Sequence, residues 1–551
     1  MPSSISNHQS FNPDPIQLEV FKHRFAAIAE EMGAVLRKAS YSPNIKERRD
    51  YSCALFDGRG QMIAQAAHIP VHLGSMPMSV QAAINDFPDL EPGDVIILND
   101  PYRGGTHLPD ITLVSPVFVQ TTRGLKPSTA MHQQLYGFVA SRAHHADVGG
   151  MSPGSMPVAT EIFQEGIIIP PIKLIAAGDV NQAAWDLLLA NVRTSQERAG
   201  DLWAQIAANQ RGGQRLQELV TEHGMVNVNH YMSAMLDYTE RMTRRLLESI
   251  PDGEYTFSDY MDNDGIGNEP ILIKVNIQIQ GDQARVDFSG SAPQQRGSIN
   301  AVYAITLSAV YYVFRCLIGL DVPNNAGCLV PITVIAPRGS VVNAQHPAPV
   351  AGGNVETSQR ITDVLLGALA QALPDQVPAA SQGTMNNITI GGYDPVLDAP
   401  FAYYETIGGG MGALPDRDGV SAIHSHMTNT LNTPVEAMEY AYPLRVLRYA
   451  IRKNSGGIGK FRGGDGIIRD VQVLTEAQIT LLTERRVLSP YGIKGGQPGS
   501  TGKNIIIRDG DEISLPGKGS IDLISGDILS IHTPGGGGYG EIKSKDSNVS
   551  K

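Results

Sequence analysis

The chain has 551 residues, 42% of them hydrophobic and 18% charged, enough to bury a sizeable core and to form roughly two or three domains. Its net charge of −12, from 43 basic and 55 acidic residues without a basic run, argues against nucleic-acid binding and against attachment to an anionic membrane. The 58 glycines and 35 prolines cluster without a fixed period, which excludes a collagen-like chain and implies many turns.

Residues 15–180 read as an α/β region. Leu18, Phe21, Phe25, Ile28, Met32 and Val35 recur on one helical face, predicting a helix that ends before Pro43. Cys53–Phe56, the turn Asp57–Gly60 and Met62–Ala64 predict a hairpin, and Val95–Leu98, Ile111–Val114 and Gly137–Ala140 predict further strands. Residues 181–250 read as helical, with Trp185, Leu188, Leu189 and Val192 on one face and Met232, Met235, Leu236, Tyr238, Met242 and Leu246 on another. That Met-rich stripe reads as core packing, and Gly212-Gly213 is expected to separate two helices. Residues 251–440 are mixed: Ile271–Ile279 alternates apolar and polar side chains, and helices are expected around 301–319 and 358–372. Residues 441–540 read as short strands between Gly-rich turns, and 541–551 as a frayed tail. The expected fold class is α+β, a multi-domain mixture of helix and sheet.

Cys53, Cys316 and Cys328 form no CxxC pair and fit a reducing compartment, each read as a small buried residue. The first fifteen residues lack an apolar signal core, and Ala304–Phe314 is too short to span a bilayer. A cytosolic protein is expected.

The sharpest chemical signal is Asn99-Asp-Pro-Tyr-Arg-Gly-Gly-Thr-His107-Leu-Pro-Asp110, where a strand ends, a Gly-rich turn follows and two metal-type ligands stand three residues apart. An imidazole and a carboxylate suit Zn²⁺, Mn²⁺ or Fe²⁺, although two such residues also brace turns. Arg142-Ala-His144-His145-Ala-Asp147 follows the next strand, and adjacent strand residues face opposite ways, so one of the two histidines at most can join His107. Asp50, in Glu47-Arg-Arg-Asp50, is a candidate fourth ligand or part of a surface ion-pair cluster. His424-Ser-His426, read as a strand, would place both rings on one face beside Asn429, a pattern for proton handling and substrate binding or for a hydrogen-bonded turn. Gly408–Gly412 and Gly535–Gly538 lack the Gly-Lys-Ser/Thr ending of a phosphate loop and read as tight backbone packing. Neither a credible cysteine nucleophile nor a Gly-x-Ser-x-Gly elbow occurs.

Taken in order with Gly352-Gly-Asn-Val-Glu-Thr-Ser-Gln-Arg360, Thr433-Pro-Val-Glu436, Gly456–Gly464 and Thr533–Gly540, these motifs resemble the hydantoinase B/oxoprolinase family from about residue 15 to 540. The resemblance implies a metal held by Asp50, His107, Asp110 and His144. It also implies hetero-oligomers with an A-type subunit, absent from this chain, that binds ATP with Mg²⁺. One departure is the segment Gln120–Gln134, longer than a tight hairpin, with His132 expected to face solvent.

The expected function is therefore that of a B-type subunit of an ATP-dependent cyclic-amide hydrolase, opening hydantoin, 5-oxoproline or a related lactam. An unstrained cyclic amide is a poor electrophile, and phosphorylation of its oxygen by the partner would activate it. This chain would then carry out hydrolysis with a metal-bound water. His424, His426 or Glu356 would handle protons, and Arg360 would hold a carboxylate or phosphate. A related carboxylase and a non-catalytic scaffold for the A-type subunit are the alternatives.

Overall fold

The computed structural model describes residues 13–66, 68–122, 131–319 and 321–542. Much of the long connection after Phe118, the His132 side chain and most of the expected tail lie outside these residues.

The N-terminal helix Pro15–Ala39 starts where the Asp14 carboxylate accepts the Ile16 amide and Pro15 presets the first turn. Its buried face of Phe21, Phe25, Ile28, Met32 and Leu36 packs into one core with the helix Ser195–His223. That second helix runs unbroken through Gly212-Gly213, contrary to the expected boundary; the chain breaks instead at Gly224, whose φ is +78°. Gly212 has a packing role, because a Cβ there would strike the Met32 side chain.

These helices cover one face of an antiparallel seven-stranded sheet. Its order is Met62–Gln65, Tyr51–Asp57, Met131–His144, Asp110–Thr122, Val95–Leu98, Ile172–Ala176 and Asp179–Val180. Met76–Asp86 and Tyr303–Ile318 contribute to the core on its other side. Along the central pair Asp110 lies directly opposite His144, so the ladder register itself brings two separate motifs together.

A second sheet of four strands spans Gly253–Met261 to Ile332–Ile335, and its last pair is parallel. The C-terminal half holds a four-stranded and a five-stranded sheet. The former pairs Asn387–Asp394 and Ala399–Glu405 with Ala477–Leu482 and Lys518–Leu523, so it draws on both sides of residue 440. The Gly-rich turns of this half do pack backbone on backbone. A Cβ on Gly536 would strike the Met411 carbonyl, and one on Gly463 the Gly536 carbonyl. Cys53 and Cys328 are buried, whereas Cys316 is exposed on a cavity wall, contrary to the expectation that all three are buried.

Candidate metal centre and adjoining cavities

His107, Asp110 and His144 converge, with one ligand atom from each lying within 4.8 Å of the others. His107 Nε2 is 3.1 Å from Asp110 Oδ1 and 3.2 Å from His144 Nδ1, and His144 Nδ1 is 3.4 Å from Asp110 Oδ1. Bonds of about 2.1 Å to one ion place neighbouring ligand atoms roughly 3.0–3.4 Å apart in octahedral to tetrahedral geometry. The donor set fits a divalent transition ion on both chemistry and spacing.

The surroundings orient each donor. His107 Nδ1 lies 3.3 Å from the Ala351 carbonyl, which can only accept, so Nδ1 carries the proton and Nε2 offers its lone pair to the group. Asp110 turns Oδ1 to the histidines, while Oδ2 accepts the Thr106 hydroxyl at 2.6 Å and lies 3.3 Å from His72 Nε2. His72 Nδ1 in turn meets the Ser52 hydroxyl at 2.9 Å. The His144 ring stacks on Tyr404, centroids 4.0 Å apart. Burial opposes ionisation of Asp110, but His107 and His72 outweigh it and hold its carboxyl well below the usual range. Burial pushes His144 and His72 down, which favours the neutral, ligating imidazole.

His145 faces the other way and meets Gln205 Oε1 at 2.9 Å, as strand alternation predicts. Asp50 is buried, not part of a surface cluster. Its carbonyl accepts the His144 amide, but its carboxylate stands outside the three-residue group. Burial raises the Asp50 pKa, opposed by His144 and Arg48.

His72 stands in none of the sequence motifs; its local sign is the turn set by Pro70 in Pro70–His72. Asn354 lies inside the Gly352–Arg360 motif, where an amide carries no mark of a metal ligand. A π-helical turn, Gly353–Thr357, changes the register there, and Asn354 Nδ2 approaches His107 Nε2 at 3.0 Å.

Glu356 accordingly points elsewhere: it accepts the Met385 amide and neighbours Glu484, Lys518 and Arg486. Arg360 is fully buried among Asp259, Asp363 and Glu484 at 3.4–3.6 Å, so carboxylates of the chain itself occupy its guanidinium.

His424 and His426 are not on a strand. Ile423 makes an isolated bridge to Gly409, and the His426 backbone is left-handed, with φ +57°, inside a turn. Both rings nonetheless line a cavity of about 640 Å³ together with Asn429, and the Tyr312 hydroxyl lies 3.4 Å from His426 Nδ1. Burial depresses both imidazoles, that of His424 to about 4. The cavity wall includes Ile69, Pro70 and Leu73, the turn that carries His72, so it abuts the shell of the His/Asp/His group.

Fold and site together define a multi-domain helix–sheet protein with an internal three-ligand group of metal-binding type beside a large cavity. The family model for hydantoinase B/oxoprolinase matches residues 14–542, and the chain belongs to that family. It is 42% identical to 5-oxoprolinase 1 of Arabidopsis thaliana over 96% of this chain, but spans only 42% of that protein's length. The ATP-dependent caprolactamase of Pseudomonas jessenii superposes with a TM-score of 0.87 at 31% identity, covering 96% of this chain and 92% of that one. An acetone carboxylase structure shares the fold, with a TM-score of 0.85 at 19% identity over 96% of this chain and 76% of that one. Among the described residues no helix is long and apolar enough to cross a membrane.

Proposed function

We propose that this chain is the B-type, hydrolytic subunit of an ATP-dependent cyclic-amide hydrolase. The observation that carries the reading is the convergence of His107, Asp110 and His144 in a chain similar along nearly its whole length to a caprolactamase. Its ATP, with Mg²⁺, is bound by a separate A-type subunit, which phosphorylates the amide oxygen and makes the ring carbon electrophilic. A divalent Zn, Mn or Fe ion at the three-residue group would supply a water acidified for attack on that carbon. The chain's own residues hold that group in register: Ala351 fixes the His107 tautomer, and Thr106 and His72 anchor Asp110 Oδ2. His424 and His426 line the cavity where a substrate proton could be exchanged, and Asn429 offers an amide at its edge. Asp50 lies behind His144 as a further candidate ligand.

The test is elemental analysis of the purified chain, followed by coupled assays with the A-type subunit, ATP and lactams of different ring size. About one transition metal per chain and ring opening coupled to ADP release are expected. Full coupled activity in a His107→Ala, Asp110→Ala double variant would sink the metal role. Incorporation of labelled bicarbonate into product would identify a carboxylase instead. An absence of metal, with activity residing in the partner alone, would leave this chain a scaffold.

A further inference from the structure

The 640 Å³ cavity does not stand alone. A second chamber of about 390 Å³ adjoins it, and the two share His68, Ile69 and Asn429 as a common wall. Their chemistry differs. Among the described residues the inner chamber has no Asp or Glu in its lining and one guanidinium, Arg315, which donates to the backbone carbonyls of Gly319 and Val322. The outer chamber is polar: Arg37, Arg49, Tyr51 and Glu30 line it with His68.

Three features make the outer chamber a built site. Arg49 sits between buried Arg48 and buried Asp50, and its left-handed backbone, with φ +59°, turns it out of their line to an exposed position on the chamber. Arg37 is tethered through Nε to the Lys46 carbonyl at 3.2 Å. Among the described residues neither guanidinium lies within ion-pair distance of a carboxylate, and two of them face the single carboxylate of Glu30. His68 accepts the Cys53 amide at Nδ1, 3.2 Å away, so its proton is on Nε2. The Cε1–Nε2 edge lies against Gly33, where a Cβ would come within 2.6–2.7 Å of it, and both residues line the outer chamber.

We infer that the outer chamber is an oxyanion subsite formed by Arg37, Arg49 and the His68 N–H, and that the ring of the substrate occupies the inner chamber. The inference rests on the cyclic-amide reading and adds to it a place for an oxyanion attached to the ring. That group is either a carboxylate on the substrate or the phosphoryl added to it, since guanidiniums bind both through paired N–H donors.

Calorimetric titration of the full chain, without partner or ATP, tests this with 5-oxoproline, 2-pyrrolidinone (the same ring without its carboxylate) and inorganic phosphate. Charge-assisted hydrogen bonds of this kind are worth about a tenfold to hundredfold gain in affinity. If the oxyanion is a carboxylate, 5-oxoproline binds at least about tenfold tighter than 2-pyrrolidinone. Arg49→Gln and Arg37→Gln then each remove most of that preference and leave 2-pyrrolidinone unaffected. If it is a phosphoryl group, phosphate binds, competes with 5-oxoproline and is lost in the same two variants. Equal affinity for the two lactams without phosphate binding overturns the subsite. So does a preference that both variants retain, or no binding of any of the three. Intact selective binding in a chain that shows no coupled ring opening would sink the hydrolase reading and leave the subsite standing.

Discussion

Asp110 divides its two oxygens between different tasks: Oδ1 faces two imidazoles, and Oδ2 is held by Thr106 and His72. Partners that orient a ligand typically contribute about tenfold to a hundredfold in metal affinity. Thr106→Val and His72→Phe should each weaken the ion by about that factor, read by competition with a chromogenic chelator. Unchanged affinity in both would show that Asp110 needs no orientation. Glu165 acts one step further out, accepting the Val350 and Ala351 amides at 2.8 and 2.9 Å and so fixing the carbonyl that meets His107. Burial raises its pKa from 4.5 to about 8, against those two amides. The unfolded chain loses this proton near pH 4.5 while the folded chain keeps it to about 8, so stability is full below 4.5 and declines as pH rises to 8. The slope for one proton is at most about 1.4 kcal/mol per pH unit. Glu165→Gln keeps an acceptor oxygen and removes the titration, so denaturant midpoints of the variant should fall less than those of the parent between pH 5 and 8. A parallel decline in the two proteins would assign the pH dependence to other groups.

At the scale of elements, glycines make two kinds of close approach here. At Gly212 an added Cβ meets the Met32 thioether, a flexible side chain that can shift. At Gly536 it meets the Met411 carbonyl and at Gly463 the Gly536 carbonyl, neither of which can move without the surrounding turns. Gly212→Ala should cost about 1 kcal/mol, partly offset by the better helix propensity of alanine, and Gly536→Ala about 3 kcal/mol or more. Equilibrium denaturation ranks the two, and an equal loss would mean that the Gly-rich turns yield as easily as a methionine. This contrast also marks what was legible in the sequence. Periodicity gave the helix face of Phe21, Phe25, Ile28 and Met32 and the alternating strand at Ile271–Gln280, because both depend on local spacing. A glycine pair inside a helix looks the same whether it ends the helix or admits a neighbouring one, and only the distant Met32 decides between these. For His424-Ser-His426 the sequence left strand and turn both open, and the structure takes the turn, with a left-handed backbone at His426.

Across the whole molecule, the candidate ligands were readable because two motifs lie at facing ends of adjacent strands, and the Asp110–His144 register joins them. Glu356 and Arg360 lie among the chain's own polar groups, whereas the π turn of the same segment brings Asn354 to His107, a placement with no local sequence mark. Arg360 instead works at the largest scale. With Arg485 it binds Asp259 on the strand Gly253–Met261 and Asp363 on the helix Ser358–Leu369, and it also reaches Glu484, which pairs with Lys518. This network ties the middle of the chain to the C-terminal sheets through side chains that, apart from the largely covered Asp259, are almost wholly removed from water. Removing one member of such a set leaves buried carboxylates without their counter-charge, at a cost of about 3–5 kcal/mol. Arg360→Met should therefore lower the denaturation midpoint substantially. At temperatures where it stays folded, it should keep the metal content of the parent chain, because none of these partners touches the His107 group. Loss of metal together with an unchanged midpoint would reverse the assignment, moving Arg360 from the structural network to the reacting site.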